Sequence, residues 1–203
     1  MEQQWRVFIA IPLPEAVQKW LQVSMNSAIL PTSQLFKRLT DSRDYHITIQ
    51  FLGDVATSRI AEIETRMQLA VQKWSPFWLQ LSNWDTFGRR EAPKVLWYGV
   101  QGNLQALTAL HHQVTTQMKG IGFLVEDRAY HPHITTARQY KGEDEFDMAG
   151  MEREVTGGRR DEDQIQALVR PEWLVDRIVL YRTHMGQRPM YEEVAEALLV
   201  PEA

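Results

Sequence analysis

The chain has 203 residues, is 44% hydrophobic and carries a formal net charge of −4 with a pI near 5.9. That is enough apolar material for one large or two small fused cores, and the acidic balance argues against an extended non-specific nucleic-acid surface, while leaving room for a small polynucleotide end. Cysteine is absent, which excludes disulfides, thiol nucleophiles and Cys-based zinc or iron–sulfur sites.

Arg6–Ile11 is a β-branched and aromatic run closed by Pro12 and Pro14, and reads as a first strand. Pro14–Leu30 carries Val17, Trp20, Leu21 and Met25 at helical spacing. Tyr45–Leu52 alternates around Ile47, Ile49 and Phe51 and should end in a turn at Gly53-Asp54. Thr57–Trp74, with Ile60, Ile63, Met67 and Val71, is a second amphipathic helix. Phe77–Phe87 and Val95–Val100 form a strand pair joined by the charged Gly88-Arg89-Arg90-Glu91-Ala92-Pro93.

The second half repeats this order: helix Leu104–Met118, strand Ala129–Arg138, strand Val175–Thr183. Tyr140–Asp163, rich in Gly and acidic residues, is expected to be a mobile loop or lid over 140–163 with a short helical piece. Met190–Val200 has helical residue types, with a strand as the open alternative. Short turns favour antiparallel pairing, and two similar lobes would face one another across a cleft. A single domain over 1–203 is expected. The start Met1-Glu2-Gln3-Gln4-Trp5 lacks a charged-then-apolar pattern and no apolar run reaches 18 residues, so a soluble, cytoplasmic monomer with no membrane partner is expected.

His46-Ile47-Thr48 and His133-Ile134-Thr135 are two H-x-T tripeptides in strand-like runs. Alternation puts His and Thr of each tripeptide on one face, about 6.5–7 Å apart. One imidazole can accept a proton while the other gives one, and two hydroxyls can hold an anionic centre between them, which suits acid–base catalysis at phosphorus. Gln50 shares strand parity with His46 and Thr48, while Tyr45 and Tyr130 could stack a terminal base at the rim. Arg138 differs in parity from His133, so only a bulge or strand end would turn it inward. Arg128 reads as a carboxylate partner bracing its segment, His111, His112, His131 and His184 as surface or packing residues, and Arg89-Arg90 as a solvated turn that could meet an RNA backbone. A zinc site from two His with Asp44 or Asp127 is the competing chemistry, but no H-E-x-x-H or equivalent is present. No metal or cofactor is expected.

Tyr45-His46-Ile47-Thr48-Ile49-Gln50-Phe51-Leu52-Gly53 resembles the H-x-T-x-x-F-L-G motif of the two-histidine phosphoesterase superfamily, specifically the RNA 2′,3′-cyclic phosphodiesterases historically called 2′-5′ RNA ligases. Arg128–Arg138 is similar to that family's R-x-x-x-P-H-x-T-L-A-R, with Thr136 in the usual Leu position, opposite in parity to His133. Arg6–Pro14, Ala92–Trp97, and Val179–Arg182 with Tyr191 resemble its other strands. The likeness implies an α+β, bilobal fold with two antiparallel sheets and flanking helices related by pseudo-twofold symmetry around a cleft, and favours a strand at Met190–Leu198. It implies opening of RNA 2′,3′-cyclic phosphate ends to 2′-phosphates with weak reverse 2′-5′ ligation. His46 would be the proton donor and His133 the acceptor, with the swap allowed by symmetry, and Thr48, Thr135 and Arg138 would bind the phosphate. Small cyclic nucleotides or ADP-ribose cyclic phosphate are the alternative substrates, and a non-catalytic phosphate-end binding module the alternative role.

Overall fold

The structure, a computed structural model, describes residues 2–32, 35–150 and 169–201. Among the described residues nine strands form two antiparallel sheets. The first contains β1 (Gln4–Pro12), β3 (His46–Ala56), β8 (Arg177–Thr183) and β9 (Tyr191–Leu198), in the order β3-β1-β8-β9. The second contains β2 (Phe36–Leu39), β4 (Phe77–Arg89), β5 (Ala92–Gly102), β6 (His133–Tyr140) and β7 (Glu172–Val175), in the order β2-β6-β5-β4-β7. Three helices pack with them, α1 (Glu15–Thr32), α2 (Ile60–Val71) and α3 (Leu104–Lys119). Among the described residues no helix is long and apolar enough to cross a membrane.

β1 is apolar on both faces because it lies inside its sheet, between β3 and β8. Val7, Ile9 and Ile11 join one continuous core with Leu21 of α1, Met67 of α2, Leu110 of α3 and Ile134 of β6, so the two lobes share their interior. Phe8 and Ala10 point the other way and form a small aromatic layer with Val179 and Tyr181 of β8. This second layer is the floor on which half of the site rests.

Several expectations change with tertiary context. Gly53 ends no strand: β3 runs on to Ala56, and Gly53 sits at a register shift opposite β1 with φ +78°, a bulge geometry that glycine adopts without a Cβ penalty. The run read as one strand over Val175–Thr183 is two strands in different sheets, since β7 pairs with β4 and β8 with β1, separated by Asp176 alone. The second motif strand begins at His133, not Ala129. β2, where Phe36 alone of four residues is buried, gave too little pattern to be seen. Met190–Val200 resolves as strand β9: its glutamates meet arginines of β8, Arg177 with Glu196 at 2.9 Å and Arg182 with Glu192 at 3.5 Å, and ladder pairing outweighs helical residue type.

In the stretch expected as a loop, Phe146 packs on Phe36 and Tyr140, the Tyr140 hydroxyl donates to the Asp144 carbonyl, and residues 148–150 are helical. Residues 151–163 of that stretch lie outside the described residues.

Candidate active site

The two motif strands belong to different sheets, and both carry a bulge at the same offset. Along β3, Ile47 pairs with Ile11 and Thr48 with Ala10, but Gln50 pairs with Ile9, leaving Ile49 as the extra residue. Along β6, His133 pairs with Gly99 and Thr135 with Trp97, but Ala137 pairs with Leu96, leaving Thr136 as the extra residue. Each bulged residue stands three positions after its histidine. Directly paired residues in an antiparallel ladder share a face, so each bulge reverses the parity of everything after it.

This reversal decides three placements. Arg138 pairs with Val95 and returns to the face of His133 and Thr135, where its charge reaches His46, His133 and Tyr191. Gln50 is carried off the face of His46 and Thr48, contrary to its simple parity: it is 5% exposed, it still lines the cavity, and its amide donates to the Leu124 carbonyl at 3.0 Å. Phe51 takes the cleft-facing position instead, 58% exposed, its ring 5.7 Å from that of Phe8. The extra residue Thr136 is fully buried and its hydroxyl donates to the Leu96 carbonyl at 3.1 Å.

His46 has Nδ1 2.7 Å from the Asp44 carbonyl and Nε2 3.0 Å from the Thr48 hydroxyl. A carbonyl only accepts, so Nδ1 carries the proton and Nε2 is the nitrogen left for chemistry. His133 repeats the arrangement, with Nδ1 2.7 Å from the His131 carbonyl. The His46 ring lies on Phe8 at 4.8 Å with the ring of Tyr191 edge-on at 5.2 Å, and His133 is edge-on to Phe87 at 4.8 Å and to Trp97 at 5.7 Å. Burial in these aromatic surroundings pulls His46 down to about 4, with the Asp44 carbonyl opposing and the charges of His133 and Arg138 adding to the fall. Burial lowers His133 too, against the pull of the His131 carbonyl.

Thr48, Phe51, Phe87, Tyr130, His131 and His133 help to line one cavity of about 570 Å³ beside the second motif histidine. Tyr130 donates its hydroxyl to the Thr48 carbonyl at 3.2 Å, bracing the first motif from the second half of the chain, and one face of its ring is already stacked on His111 at 3.8 Å. Tyr45, expected at the rim, is 4% exposed and part of the core, where burial pushes its hydroxyl up; it faces away from its neighbour His46. Arg128 has a side chain 89% exposed and lies 3.6 Å from Glu126.

Sequence reasoning did not assign Asp44, Phe51, Phe87, Trp97 or Tyr191 to the site. Asp44, weighed only as a metal ligand, is buried with its carboxylate accepting the backbone N–H groups of Met190 and Tyr191, while burial pushes its carboxyl up. It ties the start of β9 to the residue whose carbonyl orients His46. No local pattern marks such a contact, because its partners are backbone atoms some 146 residues away.

The profile of the 2′-5′ RNA ligase superfamily matches residues 13–187. A Geobacillus stearothermophilus RNA 2′,3′-cyclic phosphodiesterase is 34% identical over 188 residues, covering 93% of this chain; the chain spans only 55% of that protein's length. A Bacillus subtilis (strain 168) protein of the same name is 30% identical over 190 residues, with 92% of each chain covered. Among solved structures, E. coli LigT complexed with 3′-AMP superposes with a TM-score of 0.72 at 19% identity, covering 98% of this chain and 99% of that one, and TT0787 of Thermus thermophilus with 0.71 at 18%, covering 98% and 100%. These share the fold of two antiparallel sheets. With its profile match spanning both H-x-T strands and the helices between them, this chain belongs to the 2′-5′ RNA ligase superfamily.

Proposed function

We propose that the protein hydrolyses RNA 2′,3′-cyclic phosphate ends to 2′-phosphate ends by acid–base catalysis between His133 and His46. The observation that carries this reading is the pair of imidazole–hydroxyl units on separate sheets, each with Nδ1 committed to a backbone carbonyl, joined by an arginine that a bulge turns toward both. The names of the Geobacillus and Bacillus relatives support it.

In this mechanism His133 Nε2 takes a proton from water as the water oxygen bonds to phosphorus. The bond from phosphorus to the ribose 3′ oxygen breaks in line, and His46 Nε2–H protonates the departing oxygen. Each positioned group contributes roughly 10²–10⁴-fold. Thr48 and Thr135 donate to the non-bridging oxygens as charge grows there, and the Arg138 guanidinium grips the same group. A 5′-hydroxyl in the place of water would yield a 2′-5′ linkage by the same proton movements.

Burial disfavours imidazolium on both rings, and on His46 more strongly. The bound phosphate anion restores the cation, since an opposite charge at hydrogen-bond distance favours the protonated ring. The polarity of the pair is testable directly. On a cyclic or aryl phosphodiester with a strongly activated leaving group, the variant lacking the acid keeps its rate, because no proton is needed there, and the variant lacking the base does not. His46→Ala retaining activity on that substrate is the expected result, and retention by His133→Ala would reverse the roles.

The reaction itself is tested with a synthetic oligoribonucleotide ending in a 2′,3′-cyclic phosphate, followed by mass and phosphatase analysis of the product end. A 2′-phosphate is expected; a 3′-phosphate or an unchanged end would overturn the reading. A mononucleoside cyclic phosphate fits the same chemistry, and the cavity of about 570 Å³ beside Thr48 and His133 is the space open to its nucleoside.

A further inference from the structure

The cavity is bounded on one side by the end of the β4–β5 hairpin: Phe87, Gly88, Lys94 and Val95 all line it. Gly88–Lys94 holds three cations, Arg89, Arg90 and Lys94, and one carboxylate, Glu91, in a chain whose net charge is −4. The hairpin closes in a two-residue turn at Arg90-Glu91. Its register shifts between Phe87 and Gly88, which leaves Lys94 as the extra residue of β5. A Cβ on Gly88, which has φ +105°, would lie 3.0 Å from the Lys94 backbone nitrogen and 3.2 Å from its Cγ. The lysine stem therefore lies across the space that a side chain at residue 88 would fill.

The charges are also available. Among the described residues Arg90 and Lys94 make no ion pair, and Arg89 meets Glu91 at 3.6 Å on an exposed turn, a contact of little strength. On the loop lining the same cavity, Arg128 meets Glu126 at 3.6 Å in an equally exposed contact. The hairpin therefore carries unbalanced positive charge, spread from the cavity wall at Lys94 to the tip at Arg90, a span of about 7–13 Å at strand rise.

We infer that the β4–β5 hairpin carries the RNA strand upstream of the processed end, with Lys94 and Arg90 taking phosphates 5′ of the terminal nucleotide. This rests on the reaction proposed above and adds that the substrate is an oligoribonucleotide rather than a mononucleotide. In a chain of net charge −4, this cationic track is placed to guide the strand toward the cavity.

The test pairs binding with turnover. Anisotropy of a fluorescein-labelled oligoribonucleotide ending in a 3′-phosphate is measured over a salt series for the parent chain and for Arg90→Glu/Lys94→Glu. Turnover of an oligoribonucleotide cyclic phosphate is compared with that of a mononucleoside 2′,3′-cyclic phosphate. The parent's oligonucleotide affinity should fall with salt, with a slope of about −0.7 per phosphate contacted, and the variant should lose two such contacts. At low salt the variant should lose about tenfold or more in oligonucleotide binding and in kcat/KM, a larger fall than in its kcat/KM on the mononucleoside, and Arg90→Glu alone, away from the cavity wall, should weaken oligonucleotide binding while leaving kcat/KM on the mononucleoside unchanged. Equal losses on both substrates, or unaltered oligonucleotide binding, would overturn the inference. Failure of the parent to open either cyclic phosphate would instead sink the reaction, a result separable from the binding data.

Discussion

β3 and β6 are built alike and finished differently. Both place His and Thr on a cleft face, both insert one extra residue three positions after the histidine, and both bring the fifth residue after it back to that face. In β6 that fifth residue is Arg138, and in β3 it is Phe51. One lobe therefore presents a cation and the other an exposed aromatic ring. Under the proposed reaction, this difference would let a substrate with a charged centre and a flat base enter in one orientation.

The largest effects should come from what the two strands share. His46→Ala and His133→Ala should each lower kcat by roughly 10²–10⁴-fold on an unactivated cyclic phosphate, with circular dichroism and melting temperature near those of the parent. Full activity in either would remove the basis of the assignment. The next effects separate what differs. Arg138→Ala should lower kcat by roughly 10²–10³-fold, the scale of losing one donor to a charged transition state. Phe51→Ala should act on KM, by roughly tenfold for a stacked base, with kcat little altered. Equal kcat losses in both would mean that the two positions are not divided between phosphate and base.

The pH dependence sharpens the comparison further. With both imidazoles held below 6.5 and His46 at about 4, the bell of kcat/KM for the free enzyme should have both limbs on the acid side of 6.5. Stability follows the same groups: below about pH 6.5 the unfolded chain takes up protons that the native rings refuse, so stability declines as pH falls from there through about 4. His46→Gln should lose less stability than the parent between pH 7 and 5 in urea titrations, and an equal loss would place the titrating group elsewhere. The smallest effect expected is at the bulge itself. Thr136→Val removes the bond to the Leu96 carbonyl at nearly constant volume and should cost about 1 kcal/mol in urea unfolding.

Much of the fold was legible because its signals are local. The helices at 15–32, 60–71 and 104–119 show in apolar spacing, and the β4–β5 hairpin in two alternating runs around a charged turn. His46, Thr48, His133 and Thr135 were legible because strand alternation places His and Thr two apart on one face wherever the strand is regular. Gln50 lines the cavity as expected but from the other strand face, since a bulge changed its parity, whereas the core claimed Tyr45 from a position where an exposed rim was equally compatible with the residue type. Arg138 was legible only as a condition, since its facing depended on whether the strand ran straight.

By itself the sequence determined the chemistry available, two imidazoles and two hydroxyls in strand-compatible pairs, because residue identity and period-two alternation are properties of a few consecutive positions. Tertiary structure alone decided which side chains follow them into the cleft. Whether an extra residue is accommodated as a bulge is set by the register with β1 and β5, strands far away in the chain, and by the hydrogen bond that Leu96 offers to Thr136.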